Sequence, residues 1–365
     1  MKRPVLVQRD QVIRGSQAIA FVLGVVIALV FGAILLWVSG SDPLEVYERM
    51  WTSSFGSVSG LENTVNRAVP LTLAGLAVAI AGTMSLWNIG AEGQIMAGAM
   101  GAAWVARLGE SLSGPVLITA MIAGGIIGGL LWIAGPALAR SHLGVNEIIT
   151  TLMLNEVAIR LTTYLIQGPW KDPDSPGFPV ATPLPDQGQL PSIVGDIHFG
   201  VIIALVMVAL VAFAVNRTTW GYELRVAGSS STSARYAGIS LRRKILGVML
   251  LSGAIAGIAG AVELSSSGTR ITDTLSNGYG FAGIIVAALA LMRPWAIVPV
   301  ALVFGAVQVG GNAIRTLEVS SAVSSILQAM ILMGALIVGV LVHYRIRWVA
   351  SSSSAAKPVE GVTAA

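Results

Sequence analysis

The 365 residues are 55% hydrophobic and 11% charged, with a mean hydropathy of +0.79, where a soluble domain carries roughly 25% charged residues. No water-soluble interior hides that much apolar surface, so lipid must be the solvent for most of the chain. The net charge of +4 and the pI near 9.6 do not form a nucleic-acid footprint, because the cations are scattered in short loops between apolar runs, and the lack of cysteine excludes disulfides and thiolate metal sites.

The basic N-terminal segment 1–17, MKRPVLVQRDQVIRGSQ, leads into an apolar run from Ala18 to Ser39 that is too long for a signal-peptide core, and it reads as a retained anchor. From there the chain reads as an all-α polytopic membrane protein with about ten transmembrane helices in a domain spanning 18–345. The candidate spans lie near 18–39, 69–87, 93–108, 115–138, 147–166, 198–215, 244–262, 280–292, 296–314 and 321–343. With the N-terminus inside, fifteen of the 22 Lys and Arg fall on inner segments. The others are Arg49, Arg67, Arg107, Arg160, Lys171, Arg270 and Arg315. That bias predicts both termini in the cytoplasm.

The segment DPLEVYERMWTSSFG (42–56) predicts a small amphipathic helix at the interface. The outer loop 167–197 is rich in proline, which disfavours helix and suits a stiff, extended cover. The inner loop 216–244 is basic and holds one short helix by its pattern. The tail 346–365, ending SSSSAAKPVEGVTAA, reads as a disordered cytoplasmic segment.

LAGLAVAIAG (73–82) echoes LSGAIAGIAG (251–260), and each precedes a glycine-rich break. Two inverted five-span halves would place them so, with broken helices near the centre. Chance in so restricted an alphabet gives the same echo.

Polar residues inside the apolar runs are costly and therefore informative. In NIGAEGQ (88–94), Gly90 and Gly93 weaken the helix and Asn88 tolerates a left-handed turn. Glu92 should face the bundle interior with a partner or be protonated. An ordinary cytoplasmic turn capped by Asn88 is the other reading. Beyond the break, Gly93, Ala97 and Gly101 form a small-residue ridge. Gly124/Gly128 and Gly125/Gly129 are packing pairs alone.

In GVNEIITTLMLNEVAIRLTTYL (144–165), Glu147, Thr151 and Asn155 form one polar stripe suited to lining a path, and Glu156 with Arg160 forms a structural ion pair on an adjacent face. In SNGYGFAG (276–283), Tyr279 and Phe281 offer ring faces on which a base or sugar could stack, or else anchor the interface. Asn88, Glu92, Gln94, Asn155 and Phe281 are the expected substrate-path residues. His142, His198 and His343 are far apart and there is no HExxH, so neither a metal nor a cofactor is expected.

NIGAEGQ, GVNEIITTLMLN, ARYAGI and GYGFAGI stand here in an order and spacing that resemble permease subunits of ATP-binding-cassette importers of the branched-chain-amino-acid/ribose class. The likeness is to the subgroup working with basic-membrane-protein-type lipoproteins that bind nucleosides. It covers about residues 15–345.

The resemblance implies a bacterial inner-membrane permease, paired with a second permease subunit that is the same or homologous. It also implies a cytoplasmic ATPase and an outer substrate-binding lipoprotein, with lipid around the spans and no nucleic acid. By the same resemblance Ser233, Ala234, Arg235, Tyr236, Ala237, Gly238 and Ile239 form the core of a helix coupling to the ATPase. Relatives commonly read Asn-Pro-Glu before this helix where Ser230-Ser231-Thr232 stands here, leaving Ser231 to cap it. With no GxxxxGK[ST] in the chain, ATP hydrolysis is expected from a partner and the chain is not expected to be an enzyme. A simple-sugar importer permease is the alternative reading. An ion-coupled secondary transporter, suggested by Glu92 and the Glu156–Arg160 pair, is a further one.

Overall fold

The computed structural model describes residues 2–8, 16–175, 177, 179–267, 270–320 and 322–350, and helices occupy all ten of the apolar segments. In chain order the first half comprises β1 (Lys2–Gln8), α1 (Ser16–Val38), α2 (Pro43–Phe55), α3 (Val58–Gly82), α4 (Ala91–Leu108), α5 (Gly114–Leu138) and α6 (Glu147–Gln167). A two-stranded ribbon follows, β2 (Ser192–Val194) with β3 (Ile197–His198), then α7 (Gly200–Arg217), α8 (Thr219–Ser229) and α9 (Ser231–Tyr236). The rest is α10 (Leu241–Ser267), α11 (Tyr279–Leu289), α12 (Pro294–Ala313), α13 (Ala322–His343) and β4 (Tyr344–Ala350). Val58–Gly82, Gly114–Leu143, Gly200–Arg217, Leu241–Ser266 and Pro294–Leu317 are each long and apolar enough to cross a bilayer unaided. The chain is a largely helical, multi-pass membrane protein.

The second expected span, 69–87, is displaced. Its helix, α3, starts at Val58, where the Ser57 side chain accepts from the Gly60 N–H, and it stops at Gly82. The polar first turns, with Glu62, Asn66 and Arg67, are helical because their other face packs inward: Thr64 and Ala68 are buried. Residues 83–90 are apolar enough to mimic a span end, yet Ser85 sits at φ +57 and breaks the helix. The 42–56 segment does form a helix: Asp42 accepts from the Leu44 N–H, Pro43 opens α2, and Val46 and Met50 are buried.

The chain divides into two units, residues 1–31 with 330–365, and residues 32–329. In the first, β1 pairs antiparallel with β4, Lys2 opposite Ala350 and Gln8 opposite Tyr344. Residues 346–350 of the expected tail therefore form strand, and the rest of that tail lies outside the described residues, as do 9–15 of the N-terminal segment.

In the second unit, α10 packs on α4 and α5, while α3 packs on α11 and α12. Glycine makes the α4–α5–α10 contacts possible. Gly98 meets Gly257, Gly125 and Gly129 meet α10 at Gly257 and Gly253, and Gly101 meets Gly124. A Cβ at any of these would run into the neighbour's backbone. Lipid tails are as apolar as leucine, so association in the bilayer depends on this close van der Waals approach. The expected packing role of Gly124/Gly128 and Gly125/Gly129 is the one found: Gly128 lies against Ala97 of the ridge on α4. The helices α3 and α10 run antiparallel, joined by Ser252 Oγ donating to the Ala77 carbonyl and by Arg67 paired with Glu263.

The proline-rich loop holds no α-helix among its described residues, only a 3-10 turn at Asp186–Gly188. It is held by a Lys171–Ala181 bridge and by Arg270, whose Nη1 donates to Asp172 Oδ2 at 2.9 Å and to the Ala181 carbonyl at 3.1 Å. The basic loop contains two short helices, α8 and α9, where one was expected.

Candidate functional site

The break between α3 and α4 is built from amides. Asn88 Oδ1 accepts from the Gly90 N–H at 3.1 Å, closing the turn. The Asn88 and Gln94 carboxamides bond reciprocally, at 2.8 and 2.9 Å, and Asn88 Nδ2 also donates to Ser252 Oγ at 2.7 Å. All three residues are buried. The irregular backbone is thus satisfied by protein, the condition on which bilayer interiors tolerate it.

Asn155 completes the job from α6. Its Oδ1 accepts from the Gly93 N–H at 2.9 Å, one of the orphan donors in the first turn of α4, and its Nδ2 donates to the Ile89 carbonyl at 2.8 Å. Gly93 has no side chain because the Asn155 backbone lies against it.

Glu92 finds its partner in a second helix. Its carboxylate accepts from the Gly280 N–H at 2.7 Å, from the Gly278 N–H at 3.2 Å and from Ser276 Oγ. These groups belong to the N-terminus of α11, where Gly278 adopts φ +75. One carboxylate therefore stands at the N-termini of two helices, its own and α11, where the macrodipole favours negative charge. Close approach requires glycine here: a side chain at Gly280 would collide with the Glu92 backbone.

A charged cluster absent from the expected site lies beside this junction. Arg67 Nη1 donates to Tyr279 Oη at 2.6 Å and lies 3.5 Å from Glu263 Oε1, linking α3, α11 and α10. Tyr279 is fully buried and engaged by this bond, so it offers no stacking face. Phe281 is the aromatic left open, 43% exposed.

Phe281 lines a cavity of about 490 Å³. Its walls also include Ile285 of α11, Gln308 and Asn312 of α12, Arg315 of the following turn, and Ser325 and Gln328 of α13. Of the five expected path residues, Phe281 lines this cavity, whereas Asn88, Glu92, Gln94 and Asn155 spend their polar groups on the junction beside it.

The stripe on α6 is buried along its length. Glu147 pairs with Arg140 at 3.1 Å and accepts from the Trp87 N–H at 3.3 Å, and Thr151 Oγ1 donates to the Glu147 carbonyl at 2.6 Å. It faces the break rather than open space. Glu156 and Arg160 form the expected pair at 2.7 Å, but on the outer surface of the chain, with side chains 63% and 76% exposed.

In the basic loop, Ser230 rather than Ser231 caps α9: its Oγ accepts from the Ser233 N–H at 3.1 Å, because Ser230 holds the extended φ of −155 that a cap needs. Ala234 is buried and Tyr236 is 90% exposed. Gly238, at φ +74, ends the helix: its N–H donates to Arg235 O at 3.0 Å and the Ile239 N–H to Ala234 O at 2.9 Å, a Schellman closure. The preceding helix touches the break directly. Ser85 Oγ donates to the Gly228 carbonyl at 3.1 Å, and Gly228 packs on Thr83 and Met84. Lys244 and Glu223 pair across α10 and α8.

Residues 60–341 match the model of a family described as branched-chain amino acid transport system / permease component. The chain is 34% identical to the glucose ABC transporter permease protein of Haloferax volcanii, over 86% of this chain and 85% of that one. It is 33% identical to the guanosine ABC transporter permease protein of Bacillus subtilis, over 81% and 86%. The nucleoside ABC transporter permease protein of Lactococcus lactis subsp. cremoris is 28% identical, over 79% and 82%. On a family match spanning most of its length and relatives this similar, the chain belongs to the branched-chain amino acid transport system permease family.

Proposed function

We propose that the chain is the membrane-spanning permease of an ATP-driven importer that moves nucleosides across a bacterial inner membrane. All ten apolar helical segments lie in the bilayer in this reading, as two inverted halves with both termini cytoplasmic, and the short α11 enters it only part way. The exchange in which α10 packs on α4 and α5 while α3 packs on α11 and α12 supports it. The substrate route passes the junction of α4 and α11, with Phe281 at its wall and Asn88, Glu92, Gln94 and Asn155 fixing the broken backbone beside it.

The observation that carries the substrate class is the lining of the Phe281 cavity. Carboxamides, an aromatic ring and the Arg315 side chain meet there, and no carboxylate stands among the described lining residues. An amino acid would bring an ammonium group with no anion to receive it, at a desolvation cost of several kcal/mol. A neutral base or sugar has no such need. The guanosine and nucleoside relatives favour the base; the glucose relative favours a sugar, which is the second reading.

ATP is hydrolysed by a cytoplasmic ATP-binding-cassette subunit docking on α8 and α9. The contact of Gly228 with Thr83 and Met84 and the Ser85 bond give that subunit a rigid lever on the NIGAEGQ break. A second permease subunit covers the α6 face that carries Glu156 and Arg160, and an outer lipoprotein delivers substrate over the proline-rich loop.

Reconstitution with the ATPase, the second permease and the lipoprotein tests this. Labelled guanosine should enter proteoliposomes only when ATP is present. Uptake of pentose alone would move the assignment to sugars, and ATP-independent uptake collapsed by a protonophore would make the chain a secondary transporter.

A further inference from the structure

The Phe281 cavity holds a feature that the transport reading does not require. Gln308 is 8% exposed, lines the cavity, and leaves its side-chain oxygen without a hydrogen-bond partner among the described residues. A buried, unmatched amide oxygen is expensive, and natural proteins keep one where something else supplies the donor. Asn312 lies one turn further along α12, on the same face, and Gln328 stands opposite on α13. The ring of Phe281 closes one side.

We infer that this cavity is a selectivity site within the permease itself, in which Gln308, Asn312 and Gln328 read the hydrogen-bonding edge of a purine base lying on Phe281. This rests on the nucleoside reading and deepens it. A carboxamide offers a donor and an acceptor side by side, the pattern complementary to adjacent groups on a base edge. A flat ring face is the apolar half of the same recognition. Rotation of the terminal amide of Gln308 is all that turns its oxygen toward such a ligand, since that torsion is soft. At about 490 Å³ the cavity is of ligand-binding size. The outer lipoprotein is then the first of two filters, and the permease the second.

The test uses the reconstituted importer with labelled guanosine and labelled ribose, comparing wild type with Gln308→Met and Gln328→Met. Each replaces a carboxamide by a thioether of similar length. The apparent KM for guanosine should rise about tenfold, a change of about 1.4 kcal/mol. Inosine, which lacks the guanine amino group, should lose less than guanosine does. If Gln308→Met fails to assemble, Gln328→Met from the facing helix gives the same reading. Unchanged guanosine KM in an assembled variant overturns the selectivity site and leaves the importer standing. Wild-type uptake of ribose without guanosine overturns the nucleoside reading and the purine site with it, whereas an unchanged KM in an importer that moves guanosine overturns the site alone.

Discussion

The Glu92 carboxylate receives the Gly280 N–H at 2.7 Å across 188 residues of sequence, so the first turn of one broken helix caps the first turn of another. A carboxylate that takes backbone donors from a second helix N-terminus is held by partial charges and needs no cation. Glu92→Ala would strand the Gly278 and Gly280 donors in a buried setting, at about 1–3 kcal/mol per unmatched group. Glu92→Gln keeps one acceptor oxygen and should retain part of the function. Uptake by proteoliposomes should fall in the order wild type, Gln, Ala, with the protein still inserting. Equal rates in all three would reduce the junction to packing.

The reciprocal amide pair of Asn88 and Gln94 makes a second, separable prediction. The Gln94 carboxamide is satisfied by Asn88, so removing Asn88 strands it, whereas Asn88 without Gln94 still holds Ser252 and the Gly90 N–H; removing both should cost less than the sum of the single losses. A double-mutant cycle with Asn88→Ala and Gln94→Ala, read by thermal unfolding in detergent, should return a coupling of about 0.5–3 kcal/mol. Simple additivity would contradict the bonding described.

His198 ties stability to pH. Burial depresses its pKa from 6.5 to about 4, and its Nδ1 accepts from the Gly200 N–H at 3.1 Å, at the start of α7. Protonation would replace that acceptor with a donor and put a positive charge at a helix N-terminus, where the dipole opposes it. The unfolded chain takes the proton first, so the contribution is complete above pH 6.5 and lost as pH falls from 6.5 toward 4. Unfolding midpoints should drop over that window more steeply in wild type than in His198→Gln. Parallel slopes would show that other groups govern the acid response.

Helix positions were legible because apolar runs of bilayer length have few other fates, and the partners of polar residues were not, because they are set by tertiary meeting. Nothing near NIGAEGQ announces that Glu92 will cap a helix beginning at Tyr279. Arg67 and Glu263 lie 196 residues apart and meet only when α3 and α10 pack antiparallel. Tyr279 and Phe281 read as equivalent rings, yet two residues on a helix point about 200° apart, so one is buried on Arg67 and the other opens to the cavity. Gln308 and Asn312 did carry a signal, an i, i+4 amide pair in an apolar run, but uncharged amides stand out less than the glycine-flanked motifs.

The basic loop predicts coupling through a rigid end. Gly238 sits at φ +74, which costs other residues roughly 1 kcal/mol or more, and it closes α9. Gly238→Trp should therefore unwind the last turn that holds Ala234 buried, and Arg235→Glu should reverse the charge this helix presents. Either change is expected to leave ATPase activity in the assembled complex while transport per ATP falls several-fold. A full transport-to-ATP ratio in both variants would remove α9 from the coupling route.

The Glu156–Arg160 pair makes the last prediction, from its exposure rather than its geometry. On the lipid face of a span each charge would cost about 2.5–3.5 kcal/mol at the bilayer centre, and an exposed pair returns little of that. The neighbours Met153 and Val157 are exposed on the same side of α6, 68% and 51%. The proposed second permease subunit would cover them, and a two-fold arrangement would let Glu156 of each subunit meet Arg160 of the other. The absence of native cysteine makes the test direct. Met153→Cys, paired with a cysteine at the matching position of the second permease, should cross-link in membranes under mild oxidation. Phe213→Cys, on the outward face of α7 and 62% exposed, should not. Cross-linking through Phe213 with none through Met153 would assign the partner to the α7 face and leave the charged pair facing a polar, lipid-free space of some other kind.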